Sequence, residues 1–140
     1  MSLFRVFDIA GSAMSAQSVR LNTTASNLAN ANSVSSSAGE TYRARYPIFQ
    51  AQLDQANFAQ NEAVGVNVAG IVESDAPLVN EYNPNHPLAD ENGYVYRPNV
   101  NIMEEMANMI SASRSYQTNV QIADSARKML SKTLALGQGS

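Results

Sequence analysis

The only histidine of this 140-residue chain, His86, stands in NPNHPLAD, with Asp75, Asp90 and Glu91 close by in sequence. An imidazole near carboxylates is the smallest kit for a general base or a divalent-metal site. Its setting argues against both. A lone His between prolines has no second ligand at helical spacing, and nothing pairs it with a nucleophile, so a solvated loop is the expected reading. Glu104 and Glu105 form a second acidic pair, but adjacent residues on a helix diverge by about 100°. Their place in the first turn of a helix is already explained by capping and by the helix dipole. No glycine-rich phosphate loop and no serine nucleophile elbow is present. Asn22-Thr23-Thr24, formally a glycosylation sequon, falls inside an expected helix. No cysteine occurs, which removes disulfides, thiolate metal sites and a thiol nucleophile. The expectation is no catalytic residue, no metal and no cofactor.

A third group is amide-rich. ASNLANANS, residues 25–33, carries three asparagines where an amphipathic helix should be running out. Its role depends on the elements around it. Phe7, Met14, Leu21 and Leu28 repeat every seven residues, with the small Ala10, Gly11 and Ala25 on neighbouring positions, which marks a helical seam open to close approach. The C-terminal third holds two such rows. Ile102, Met109, Tyr116, Ala123 and Leu130 form one, and Met106, Ser113, Val120, Arg127 and Leu134 the other. Asn101 followed by Glu104 has the form of a capping box, and Gly137 and Gly139 are expected beyond the helix end. At 1.5 Å per residue this helix would be about 50 Å long.

Ile122, Met129 and Leu136 make a further apolar row, facing almost directly away from the seam. A helix that is apolar on opposite sides needs two partners, and the chain offers one other long helix. The methionines Met103, Met106, Met109 and Met129 add to this, because such side chains suit adaptable interfaces. Arg127, in a seam position, must either find a carboxylate or carry its head out to water. Tyr116 is expected in the core.

Between the helices the pattern changes. Tyr42, Ala44, Tyr46 and Ile48 alternate with polar or proline neighbours, and Val64, Val66 and Val68 alternate again, as short strands do. Asn92-Gly93 is a hairpin-type turn signal, and Pro77, Pro84 and Pro87 predict an irregular stretch. The predicted architecture is mainly α. Long N- and C-terminal helices pair as an antiparallel coiled-coil-like hairpin, with a small β-rich or irregular central insertion, divided as residues 1–34, 35–98 and 99–140.

The net charge of −3 is concentrated in the middle segment, and no basic stripe could follow a phosphate backbone. No apolar run reaches bilayer length. MSLFRVFDIAGSAMSAQS resembles a secretory signal at first sight, but Asp8 interrupts its apolar core and the helical pattern continues through Arg20, so it reads as mature protein.

GSAMSAQSVRLNTTASNLANANS, residues 11–33, PNVNIMEEMANMISASRSYQTNV, residues 98–120, KTLALG, residues 132–137, and PLADENGY, residues 87–94, together resemble the bacterial flagellar axial proteins, the rod and hook family. The spacer Ser33–Glu40 before Thr41-Tyr42-Arg43, where most relatives turn sooner, resembles the proximal rod subtype. The resemblance implies a structural subunit without catalysis, exported by the flagellar type III apparatus without a cleaved signal. It implies polymerisation into the periplasmic rod of the basal body, a torque-transmitting drive-shaft. The implied partners are other copies, other rod subunits, the base of the rod at the membrane ring and the export apparatus, with no nucleic acid and no small-molecule substrate.

On this reading the assembly interface comprises Phe7, Met14, Leu21, Asn27, Leu28 and Asn30 of the first helix and Ile102, Met106, Met109, Tyr116, Val120, Ile122, Arg127, Met129, Leu130, Leu134 and Leu136 of the second. Asn30 and Asn32 are expected to end the first helix in left-handed conformations, and Asn27 to hydrogen-bond across to another subunit. Two other readings compete: a small hydrolase or metal-binding domain built on His86, and an amphipathic helix protein lying on a membrane. The second would require a lysine-rich helix face where Ser111, Thr118 and Ser125 stand.

Overall fold

The computed structural model describes residues 3–52 and 64–137. Two long helices frame it: α1, Leu3–Asn30, and α2, Ile102–Gly137. Between them lie β1, Arg45–Ala51, β2, Val66–Glu73, β3, Val79–Tyr82, and β4, Tyr94–Arg97. The helices run antiparallel. Asn27 meets Glu105 at one end, Arg20 meets Asn108 further along, and Phe4 and Phe7 lie by Ala126 and Leu130 at the other end. At 1.5 Å per residue, α1 is about 42 Å long and α2 about 54 Å, so α2 overhangs its partner.

The helices touch through small side chains. Ala10 and Ala16 of α1 and Ala112, Ala123 and Ala126 of α2 are buried, whereas Phe7, Met106, Val120 and Leu134 from the expected seam rows are exposed. Methyl-sized groups let the two backbones approach and leave the large side chains to spread outward. α2 starts as its sequence requires. Asn101 Oδ1 accepts from the N–H groups of Met103 and Glu104 at 3.1 and 3.4 Å, and Glu104 and Glu105 sit in the positive first turn. Gly137, expected beyond the helix, is its last helical residue.

α1 ends differently from expectation. Among the described residues no non-glycine residue has positive φ, so Asn30 and Asn32 do not adopt the left-handed cap. Instead the Ser33 N–H and hydroxyl both donate to the Asn30 carbonyl, at 3.0 and 2.8 Å, and satisfy a terminal acceptor without backbone strain. Asn30 turns its own amide back onto the Ser26 carbonyl, and Asn32 accepts from Arg97.

The strands form two separate antiparallel pairs, β1 with β2 and β3 with β4. The first pair is a ribbon lying along α1. Its base is held by Asn27, which bonds Arg45. Its far end is held by Ser12 Oγ, which accepts from the Val66 N–H at 3.2 Å. Fifteen residues of helix from Ser12 to Asn27 rise about 22 Å. Seven strand residues cover about 24 Å, so the two anchors match in span. A Cβ at Gly65 would meet Ser12 Oγ at 2.9 Å, so a side chain there would displace the anchoring hydroxyl. The register shifts between Ile48 and Phe49 in a bulge.

The second pair contains a strand hidden by proline spacing. The stretch after Pro77, expected to be irregular, includes β3, which pairs with β4 from Val79↔Arg97 to Tyr82↔Tyr94. Gly93, at φ 81°, closes the loop between them, where Asp90 Oδ1 accepts from the N–H groups of Asn92 and Tyr94. A bridge from Ser35 to Tyr96 ties this pair to the segment after α1.

The alanine contact generates a direct test. Ala112 is fully buried, and Ala112→Leu forces extra methylenes between close backbones, lowering folding stability by about 1–3 kcal/mol. Chemical denaturation measures this, and Ser111→Leu on the exposed neighbour position should leave the midpoint within experimental scatter.

Candidate functional site

Asn27 is fully buried in its own chain, at 0% exposure, and uses all its hydrogen-bonding capacity there. Its Nδ2 donates to the Arg45 carbonyl at 2.8 Å and to Glu105 Oε2 at 3.1 Å. Its Oδ1 accepts from the Tyr42 hydroxyl at 2.8 Å and the Arg45 N–H at 2.9 Å. The side chain thus pairs with both backbone groups of Arg45, as a neighbouring strand would, while gripping α2 through Glu105. The expected cross-subunit bond from Asn27 is overturned. Nothing of this amide reaches the surface.

Glu105 is 1% exposed, and its Oε1 has no hydrogen-bond partner among the described residues. Burial raises the Tyr46 pKa above its ordinary 10.0, and the charges of Glu105 and Glu104 and the proximity of Glu105 push it the same way. Sequence reading took Glu105 for a dipole partner only. The missed signal is its seven-residue spacing from Ala112, which puts it on the buried line of α2.

Asn99 is a second node that sequence reading missed. Its Oδ1 accepts from the Ala44 N–H at 2.8 Å, and its Nδ2 donates to the Ala76 carbonyl at 2.8 Å and the Ser74 carbonyl at 3.3 Å. It joins the lead-in to β1, the exit from β2 and the approach to α2. Arg43 donates to the Ser74 carbonyl as well.

His86 Nδ1 accepts from the Leu88 N–H at 3.1 Å within a turn, and no group of three or more metal-ligating side chains occurs among the described residues. A polar recess of about 730 Å³ beside the end of α1 is lined by Asn30, Ser33, Tyr42, Arg43, Arg45 and Glu73, and His86 is not part of it. Glu73 there is paired with Arg45 at 2.9 Å.

Among the exposed side chains of the helices are many large apolar ones. Ile102, Met106, Tyr116, Val120, Ile122, Met129, Leu134 and Leu136 are exposed, with Leu136 at 80% and Met103 at 75%. Met14, Leu21, Leu28, Asn30, Met109 and Leu130 are half-buried. Tyr116, expected in the core, lies on the surface. Phe7, Arg127 and Leu130 come together with Leu3, Phe4 and Ala126 around an apolar cavity of about 270 Å³ at the far end of the pair. Arg127 is itself exposed, its head carried out of the seam. No described helix is long and apolar enough to cross a membrane.

Two predictions follow from the buried node. Asn27→Ala strips Glu105 of its donor and Arg45 of its side-chain partner, and should lower folding stability by about 3 kcal/mol in urea titration. An unchanged midpoint would show the node to be energetically idle. The Tyr46 shift acts at alkaline pH. Because the folded pKa is raised, the contribution is complete below the unfolded value of 10.0 and is lost as pH rises through the folded one. Stability should fall more steeply above pH 10 in the wild type than in Tyr46→Phe.

Comparison with known proteins matches both helical regions. Residues 7–35 match the family "Flagella basal body rod protein", and residues 91–136 match "Flagellar basal body rod FlgEFG protein C-terminal". The chain is 51% identical over 139 residues to the flagellar basal-body rod protein FlgC of Salmonella typhimurium, with 99% of this chain and 100% of that one covered. It is 52% identical over 139 residues to FlgC of Escherichia coli O6:H1 and 45% identical over 141 residues to FlgC of Buchnera aphidicola subsp. Schizaphis graminum, at the same coverage. With both termini and the middle segment included in these alignments, the chain belongs to the FlgC family of flagellar basal-body rod proteins.

Proposed function

We propose that this chain is a structural subunit of the flagellar rod that polymerises through the outer sides of α1 and α2 and performs no catalysis. The observation that carries the reading is the division of apolar surface. The helix pair satisfies its own contact with alanines and leaves Met103, Met106, Ile122, Met129 and Leu136 exposed on α2. So much greasy surface on one helix is the mark of a protein that is covered by others.

Lateral contacts of this kind suit a drive-shaft. Many dispersed apolar contacts, each small, resist shear together where a few exposed polar pairs would exchange with water. The partners on this reading are further copies, other rod subunits and the base of the rod at the membrane ring. Delivery is by the flagellar type III apparatus without a cleaved signal, and the working location is the periplasmic part of the basal body. The Asn27 node belongs to the folding of each subunit, and the interface belongs to the exposed flanks.

Production of the chain in a Salmonella strain lacking its own FlgC tests the reading. Restored swarming and recovery of the chain in purified basal bodies are expected, and exclusion from basal bodies would overturn it. His86→Ala should swarm like the wild type. Helix content by circular dichroism should be lower in dilute monomer than in the assembled state, since an isolated thin helix pair buries little surface.

A further inference from the structure

An asparagine followed by glycine occurs once in the chain, as Asn92-Gly93, on the loop that leads into β4, and the Asn92 side chain is exposed. Asparagine is a chemically labile residue, and a following glycine has no Cβ to shield its backbone nitrogen. The reaction open to such a pair needs only water. The Gly93 nitrogen gives up its proton to solvent and bonds to Asn92 Cγ, the Cγ–Nδ2 bond breaks, and ammonia leaves with a proton taken back from solvent. Water then opens the cyclic imide at either carbonyl. Attack at Cγ leaves an aspartate at position 92. Attack at the main-chain carbon leaves an isoaspartate, in which the chain runs through Cβ.

The fold requires this glycine. At φ 81° a Cβ on residue 93 would be strained, and it would meet Tyr82 Cε2 at 3.0 Å and Pro84 Cβ at 3.1 Å. The same fold holds the pair in an unreactive shape. The Gly93 N–H donates to the Asp90 carbonyl at 3.0 Å, closing a turn in which Asn92 is the third residue. Asn92 has no positive φ, which selects the type I form, where ψ of the third residue is about 0°. At that angle the Gly93 nitrogen eclipses the backbone nitrogen of Asn92. Ring closure requires it to eclipse Cβ instead, so ψ must rotate far from its value in the turn and the Gly93 N–H bond must break.

Asp90 opposes that rotation. Its Oδ1 accepts from the Asn92 N–H at 2.9 Å and from the Tyr94 N–H at 2.8 Å, so the amides on both sides of Gly93 are tied to one carboxylate. Its Oδ2 accepts from the Tyr96 hydroxyl at 3.3 Å, which fixes the carboxylate to β4. The Gly93 carbonyl accepts from the Asn83 N–H at 2.9 Å, tying the glycine to the residue after β3.

We propose that Asn92 is a spontaneous modification site governed by folding: the Asp90 turn keeps its amide intact in the folded subunit, and cyclisation with Gly93 proceeds whenever the turn is open. Asp90 is a positioning residue for this chemistry, since it acts through the main chain it holds and not on the amide itself. The isoaspartate product does not fit the turn, because it lengthens the main chain across the span that Asp90 bridges. Either product also sets a new carboxylate beside Asp90 and Glu91, where like charges repel. A chain that stays unfolded is thereby marked irreversibly, while a folded one is spared.

A site that reacts only when locally open converts at the unfolded rate multiplied by the fraction of time it is open, so a turn open about a tenth of the time gives about tenfold protection. The full chain is incubated at mildly alkaline pH, folded and in guanidinium chloride. Isoaspartate is measured by methylation with an isoaspartyl methyltransferase and located by peptide mass mapping. In denaturant, Asn92 is expected to convert faster than any other asparagine. In the folded chain its conversion is expected to be slower by about tenfold or more. Folded Asp90→Ala should approach the denatured rate, whereas Asp90→Asn, whose amide oxygen can accept the same two N–H bonds, should keep most of the protection. Circular dichroism checks that the variants retain their helices. If Asp90→Ala loses them, Tyr96→Phe, which removes only the bond to Oδ2, replaces it and should raise the rate by a smaller factor. Equal rates with and without denaturant would overturn the proposal, as would no conversion at Asn92 in denaturant. Undiminished protection in whichever of these two variants is helical would overturn it as well.

Discussion

A single buried amide fixes the relation between the three parts of this subunit. Asn27 sits on α1, pairs with the backbone of β1 at Arg45 and donates to Glu105 on α2. An amide is suited to this because it offers two donors and two acceptor sites in one plane, and here each is used. An aliphatic residue would leave the first β1 amide and carbonyl unpaired, and a carboxylate would face Glu105 with like charge. The node is polar, yet its effect resembles that of core packing, since it admits one arrangement of helix, strand and helix.

Around that node the packing economises on bulk. The helices meet through alanines, and the larger apolar side chains turn outward. In a protein that ended its assembly as a monomer this would be a liability. In a rod subunit assembled as proposed above, it would separate two tasks, with the fold held on the alanine side of the helices and the exposed apolar sides left to neighbours. Asn27 and Glu105 answer to the first task, and the exposed Met106 and Met129 are side chains proposed for the second.

The sequence made some of this legible and concealed the rest for physical reasons. Seven-residue periodicity identifies long helices because burial on one side repeats with the turn of the backbone, and Asn101 announces the start of α2 by its chemistry. Periodicity alone does not say which apolar stripe is buried when several sides are apolar. The stripes rich in Met and Leu were the natural choice, and the alanine stripe was the one used, since close backbone approach outweighs side-chain size. Asn27 was legible as special but not as internal, because a polar residue at a helix end reads as a cap until its partners in β1 and α2 are known. Glu105 and Asn99 depended on contacts distant in sequence. The β3 strand was hidden by Pro77 and Pro84 on either side, which restrict their own positions without forbidding a four-residue strand between them.

The β1–β2 ribbon is fastened to α1 at both ends, at Asn27 and at Ser12, over matching spans. One fastening would make a hinge, whereas two make a strut. Because α1 cannot bow without stretching or buckling the paired strands beside it, the ribbon stiffens the helix as a splint stiffens a limb. A slender helix braced along about half its length can carry a twisting load with less elastic wind-up than the same helix left bare.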